Sequence, residues 1–163
     1  MFAFALIVVT ALAGCGGAGP TPGSEKVIIA GESFELEPAT DESSRQRGLM
    51  YRDHIPDHGG MLFVFPDSEV TVQRFWMGNC LIDMDIIYLD PAGYVTATHH
   101  MKAESPRGAD ESEADYDRRM PRYSSAYPAQ FAIELKAGSL DRLNVRVEDK
   151  IALDTARLKA MAH

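Results

Sequence analysis

The segment FWMGNCLIDMDIIYLD, residues 75–90, opens with an aromatic pair and closes on an apolar run. Between them stand an amide, a thiol and two carboxylates: Asn79, Cys80, Asp83 and Asp85. The run DIIYLD (85–90) predicts a strand, and VQRFWM (72–77) predicts the strand before it. The polar residues therefore fall where the chain turns back into a core. They either build that turn or line a site beside it.

The same pattern extends outward in both directions. KVIIA (26–30) and SFELEPA (33–39) predict a pair of strands around a turn at Gly31-Glu32. TDESSRQRGLMYR (40–52) predicts a helix with Thr40 as N-cap, acids in its first turn and Gly48 near its end. RDHIPDHGG (52–60) reads as a loop and GMLFVFP (60–66) as a strand stopped by Pro66. YVTATHHM (94–101) alternates, which places Val95, Ala97 and His99 on one face and Tyr94, Thr96, Thr98 and His100 on the other. ADESEADYDRRM (109–120) predicts a solvated helix. AQFAIELKAG (129–138) predicts a strand with Phe131, Ile133 and Leu135 facing inward. GSLDRLN (138–144) predicts a short helix capped by Ser139, VEDKIALD (147–154) a last strand, and the remainder a fraying tail. About seven or eight short strands with few helices define a mainly β, α+β class. The expected form is an antiparallel β-sandwich or partly open barrel, since no β-α-β alternation is present.

The chain of 163 residues has 45% apolar and 25% charged residues, an ordinary globular balance, and a formal charge of −8. No basic patch accompanies that charge, which argues against nucleic acid as the main partner. MFAFALIVVTALAGC (1–15) is a continuous apolar run, shorter than the ~20 residues a membrane span needs. Its small-residue end, Leu12-Ala13-Gly14-Cys15, resembles the bacterial lipoprotein processing box. That resemblance implies a signal peptide over 1–14, acylation of Cys15 and an exported domain held at a membrane by lipid. A buried N-terminal strand or helix is the alternative. GGAGPTPGS (16–24) then serves as a tether, so residues 15–24 link the lipid to a single β-rich domain at 25–155, with a tail at 156–163. The chain's two cysteines are Cys15 and Cys80; lipid on the first leaves the second as a lone thiol.

Three segments in order, RGLMYR (47–52), GMLFVFP (60–66) and FWMGNCLIDMDIIYLD (75–90), resemble the domain-of-unknown-function family 192 of bacteria and archaea. The resemblance runs from about Thr40 to Asp154. It implies a jelly-roll-like, mainly β fold and an exported context, and it brings no established reaction. The residues matching the family's motifs are Arg45, Gly48, Leu49, Met50, Arg52, Gly60, Met61, Phe63, Phe65, Trp76, Met77, Asn79 and Asp85. The chain departs at Gly78, where the pattern has a basic residue, at Cys80, usually Thr, and at Asp83, usually Pro. It also carries an acidic insertion around 102–122.

Candidate chemistry follows from these residues. Asp83 and Asp85 in extended backbone would share a face about 6.5–7 Å apart, a spacing used by paired carboxylates in glycoside hydrolysis. A hydrolase built on Asp85 with Asp83 or Cys80 is therefore an alternative, although no histidine stands at a spacing that suggests a base for Cys80. Asn79 could instead make an Asx-turn, and Asp85 could satisfy loop amides or pair with Arg45 or Arg52. The competing possibility is that Arg45, Arg52, Trp76, Asn79 and Asp85 rim one concave binding site. His54 and His58, adjacent His99 and His100, and the acids of 110–117 make no convincing metal set, and no cofactor motif is present. The favoured expectation is a lipid-anchored, extracytoplasmic, non-catalytic binding module for a small molecule, peptide or envelope component. An envelope interaction module using Asp110–Arg122 is a further alternative.

Overall fold

A computed structural model describes residues 23–163 of the chain. The segments expected to be a signal at 1–14, an acylation site at Cys15 and a tether up to residue 22 lie outside the described residues. Among those described, no helix is long and apolar enough to cross a membrane.

Eight strands are present in the described residues: β1 (Glu25–Ile29), β2 (Glu32–Ala39), β3 (Gly59–Val64), β4 (Thr71–Phe75), β5 (Met84–Leu89), β6 (Val95–Met101), β7 (Tyr123–Ala129) and β8 (Phe131–Lys136). Six form one sheet in the order β1-β2-β3-β8-β5-β6, and β4 pairs with β7 in a second, two-stranded sheet. Neither sheet closes into a barrel. All pairs are antiparallel except β2 with β3, which run parallel. A parallel neighbour requires a crossover. Residues 40–58 supply it through the short helix α1 (Glu42–Arg47), so α1 belongs to the fold's one departure from an antiparallel arrangement.

The large sheet is apolar on both sides. On one side Val27, Phe34, Leu62, Ile87, Phe131, Ile133 and Leu135 pack beneath α3 (Ser139–Leu143) and α4 (Thr155–Met161). On the other, Phe63, Met77, Met84, Ile86, Tyr88 and Ala132 pack beneath the 76–83 turn and the β4–β7 ribbon. Phe75 at the end of β4 sets its ring edge-on to Phe63 at 4.8 Å and to Tyr88 at 5.6 Å, which seats the ribbon on this second face.

Several expectations are corrected. Asp41, not Thr40, caps α1, in a reciprocal capping box with Ser44. A register shift between Tyr88 and Leu89 bulges β6, so Val95 faces one core while Ala97 faces the other; strict alternation does not survive a bulge. Strand β7 was not expected, because Pro128 interrupts its pattern; a proline is admissible there because β7 is the edge of a ribbon. Residues 147–154 form no strand and bridge only at Tyr94–Lys150. The expected fraying tail is instead α4, capped by the Asp154 side chain on the Arg157 N–H and anchored by buried Leu158.

Candidate functional site

The site starts from β8, a central strand. Phe131, Ile133 and Leu135 face α3, so Ala132 and Glu134 face the opposite core. Glu134 stands in register with Met61 of β3 and Ile86 of β5, and only 5% of it is exposed. Its Oε2 has no hydrogen-bond partner. Burial pushes its carboxyl up to about 8, against the opposing pull of the Leu49 main-chain N–H and the Arg52 charge. A neutral acid is thus the form that this strand holds at neutral pH.

A cleft of about 690 Å³ opens above Glu134. Its walls are the C-terminal end of α1 with Leu49 and Met50, the rings of Phe63, Phe65, Phe75 and Trp76, and the Cys80 thiol. Its mouth carries Arg47 and Arg74. Gly48 ends α1 at φ 50°, ψ −137°, a conformation that L side chains rarely adopt. A β-carbon on Gly48 would stand 3.3 Å from Phe63 Cζ and 3.5 Å from Glu134 Oε2. The glycine therefore both ends the helix and leaves the approach to the acid open.

The five residues expected to share one hollow are dispersed. Trp76 does line the cleft; its ring covers Gly78, where a β-carbon would fall within 2.3 Å of Cζ3, and Arg122 stacks on it at 5.1 Å. Arg45 reaches the cleft wall, but its guanidinium is committed to the carbonyls of Thr40, Val64 and His163 and to Glu69. Arg52 is outside the cleft, clamped bidentately to Glu37 of β2. Asn79 takes a left-handed conformation (φ 59°), which asparagine tolerates. Its N–H donates to the Tyr116 hydroxyl, and it borders a smaller hollow of about 460 Å³ under the helix α2 (Glu113–Arg119), with Trp76 on the shared wall.

Asp85 is the clearest correction. It projects from β5 on the same side as Ile87 and Leu89, through the sheet from Trp76. Its Oδ2 accepts the Leu140 N–H at 2.8 Å and its Oδ1 bonds His100 Nδ1 at 2.8 Å, with no surface exposed. It caps α3, a task expected of Ser139, whose side chain makes no such bond. A carboxylate dyad is also ruled out, because Asp83 is bound elsewhere, to Lys102 Nζ and the Ala103 N–H, and the Lys102 hydrogen bond holds its carboxyl below the usual range. Burial raises the Cys80 thiol to about 12, so it is no nucleophile at neutral pH. Among the described residues, no group of three or more His, Cys, Asp or Glu side chains could hold a metal ion.

Glu134 carried no signal as a lone acid in an alternating strand, where every second residue is expected to meet water. The signal lay in topology: a strand at the centre of a sheet covered on both faces has no solvated side.

These elements define a mainly β domain, a six-stranded mixed sheet with a short ribbon above a buried-acid cleft. The chain belongs to the domain-of-unknown-function family DUF192, described as "Uncharacterized ACR", whose family model matches residues 25–153. No curated protein matches it. The chain is similar to a solved Sinorhizobium meliloti 1021 protein described as a candidate transcription regulator, with 28% identity, TM-score 0.60, and coverage of 78% of this chain and 89% of that one. It also shares its fold with a protein of unknown function from Novosphingobium aromaticivorans DSM 12444, at 22% identity, TM-score 0.55, and coverage of 90% and 99%.

Proposed function

We propose that this chain is a non-catalytic binding module that receives a small, largely apolar molecule in the Glu134 cleft. The observation that carries the proposal is a buried carboxyl whose Oε2 has no partner, at the floor of an aromatic-walled hollow. A buried polar atom without a partner is destabilising by about 1–3 kcal/mol, and a ligand that satisfies it recovers that energy. Concave, mostly apolar pockets with a few fixed polar groups are the usual form of small-molecule sites.

Catalysis is less well supported. A raised acid is one half of an acid–base pair, and the other half is missing from this cleft. Its remaining carboxylates, Glu42 and Glu69, sit at the rim, bonded to Gln46 and Arg45. A net charge of −8 disfavours phosphate backbones, which weighs against a nucleic-acid-binding role.

We also propose that the module is exported and held at a bacterial membrane through lipid on Cys15. Support comes from the apolar run and its Leu-Ala-Gly-Cys end. Metabolic labelling with a fatty-acid analogue should mark the full chain and not its Cys15→Ser variant; equal labelling of both contradicts the anchor. For the cleft, Trp76 is the chain's single tryptophan and borders the hollow, so its emission reports occupancy. A small-molecule screen read by Trp76 emission should return ligands that Phe75→Ala weakens. A screen in which no ligand shifts the emission contradicts the binding function.

A further inference from the structure

Resting on that reading of the cleft, we infer that its ligand is an organic monocation: a single ammonium group set against Glu134 with an apolar body against the rings of Phe63, Phe75 and Trp76. Three observations converge on this chemistry. First, among the described residues no side chain forms an ion pair with Glu134, and its Oε2 has no hydrogen-bond partner. Arg52, whose charge does reach the acid, is clamped to Glu37, and Cys80 and Tyr88, which the acid's charge also reaches, are both buried and held in their neutral forms. Second, the acid sits among aromatic rings, whose negative faces attract a desolvated cation and offer a neutral carbonyl no comparable gain. An ammonium in such a place joins a low-dielectric ion pair that water does not screen. Third, Arg47 and Arg74 at the mouth make no ion pair among the described residues. Their charge repels a second positive group, so a polyamine is disfavoured, while a neutral or anionic far end is welcome.

The proton balance is explicit. The neutral Glu134 carboxyl gives up its proton to solvent as the ammonium enters, and the carboxylate that remains pairs with it. Calorimetry on the full chain tests this with phenethylamine, its neutral shape-match phenethyl alcohol, and the diamine cadaverine. The expected result is that phenethylamine binds about tenfold more tightly than the alcohol or the diamine and releases about one proton per ligand at pH 7, shown by titration in buffers of different ionisation heat. Glu134→Gln should remove that preference and that release, with circular dichroism and the Trp76 emission of the free variant showing that it is folded. Equal affinity for amine and alcohol overturns the ammonium and leaves the cleft as a binding site. Binding of neither, with Trp76 emission unmoved, overturns both.

Discussion

Asp85 Oδ2 accepts the main-chain N–H of Leu140 at 2.8 Å, and the carboxylate is wholly buried in doing so. An acid from β5 thereby caps α3, an element that follows it by more than fifty residues in the chain. The most conspicuous carboxylate of the 75–90 segment is thus a structural bond across the α3 side of the sheet. Its Oδ1 also orients His100, whose other nitrogen lies 3.6 Å from Asp141.

Asp85→Ala removes the cap, leaves the Leu140 N–H without its partner and frees His100. A loss of about 2–4 kcal/mol is expected in urea unfolding, since a buried orphaned donor and a lost charged acceptor act together. Ligand affinity in the cleft should be unchanged, because the cleft lies through the sheet. A variant of full stability, or one that binds ligand less well while folded, contradicts the structural role.

Glu134 gives stability a pH dependence of unusual sign for a carboxyl. Its folded value is raised to about 8 from 4.5, so over that window the folded chain holds a proton that the unfolded chain releases. Its contribution is therefore present at acidic pH and is lost as pH rises towards about 8, with a slope of up to about 1.4 kcal/mol per pH unit. Glu134→Gln should flatten that part of the profile relative to the parent. Parallel profiles in urea series from pH 5.5 to 8.5 contradict it.

Gly78 stands where the family resemblance implies a basic residue, and the structure supplies a reason for glycine there. The Trp76 ring occupies the space a β-carbon would need. Gly78→Lys should push the indole off its seat between Gly78 and Arg122, shift its emission to the red, and destabilise by about 1–3 kcal/mol through overpacking. An unshifted emission spectrum contradicts this packing.

Cys80 is 7% exposed and its thiol is raised to about 12. In a Cys15→Ser background, a thiol reagent at pH 8 should label the native protein at the rate of unfolding and the urea-unfolded protein at once. Rapid native labelling contradicts its place in the core and reopens a nucleophilic role.

The sequence made some of this legible and hid the rest for physical reasons. Period-2 alternation located β8 and its α3-facing residues, and turn residues located the β1–β2 hairpin, because both are local signals. The three family motifs brought Gly48, Met50, Phe63, Phe65 and Trp76 to notice, and the fold gathers these at the cleft. The face that Asp85 occupies is not legible in the sequence, because β5 has both faces buried: side-chain parity sends it to α3, and the parity cannot be assigned to a face from one strand alone. Glu134 is hidden in the sequence for the same reason. Whether an alternate position meets water depends on what covers the sheet, and the β4–β7 ribbon that covers it comes from residues on either side of β5 and β6 in the chain.

The most direct test of the buried, half-satisfied acid is carbon-13 NMR of the Glu134 side-chain carboxyl, assigned by its absence in Glu134→Gln and titrated from pH 4 to 9. A midpoint near 8 is expected in the free protein, moving well downward when an ammonium ligand is bound. A midpoint in the ordinary glutamate range, about 4.3, in the free protein would mean that the carboxyl is solvated or already paired, and would contradict the site on which the function rests.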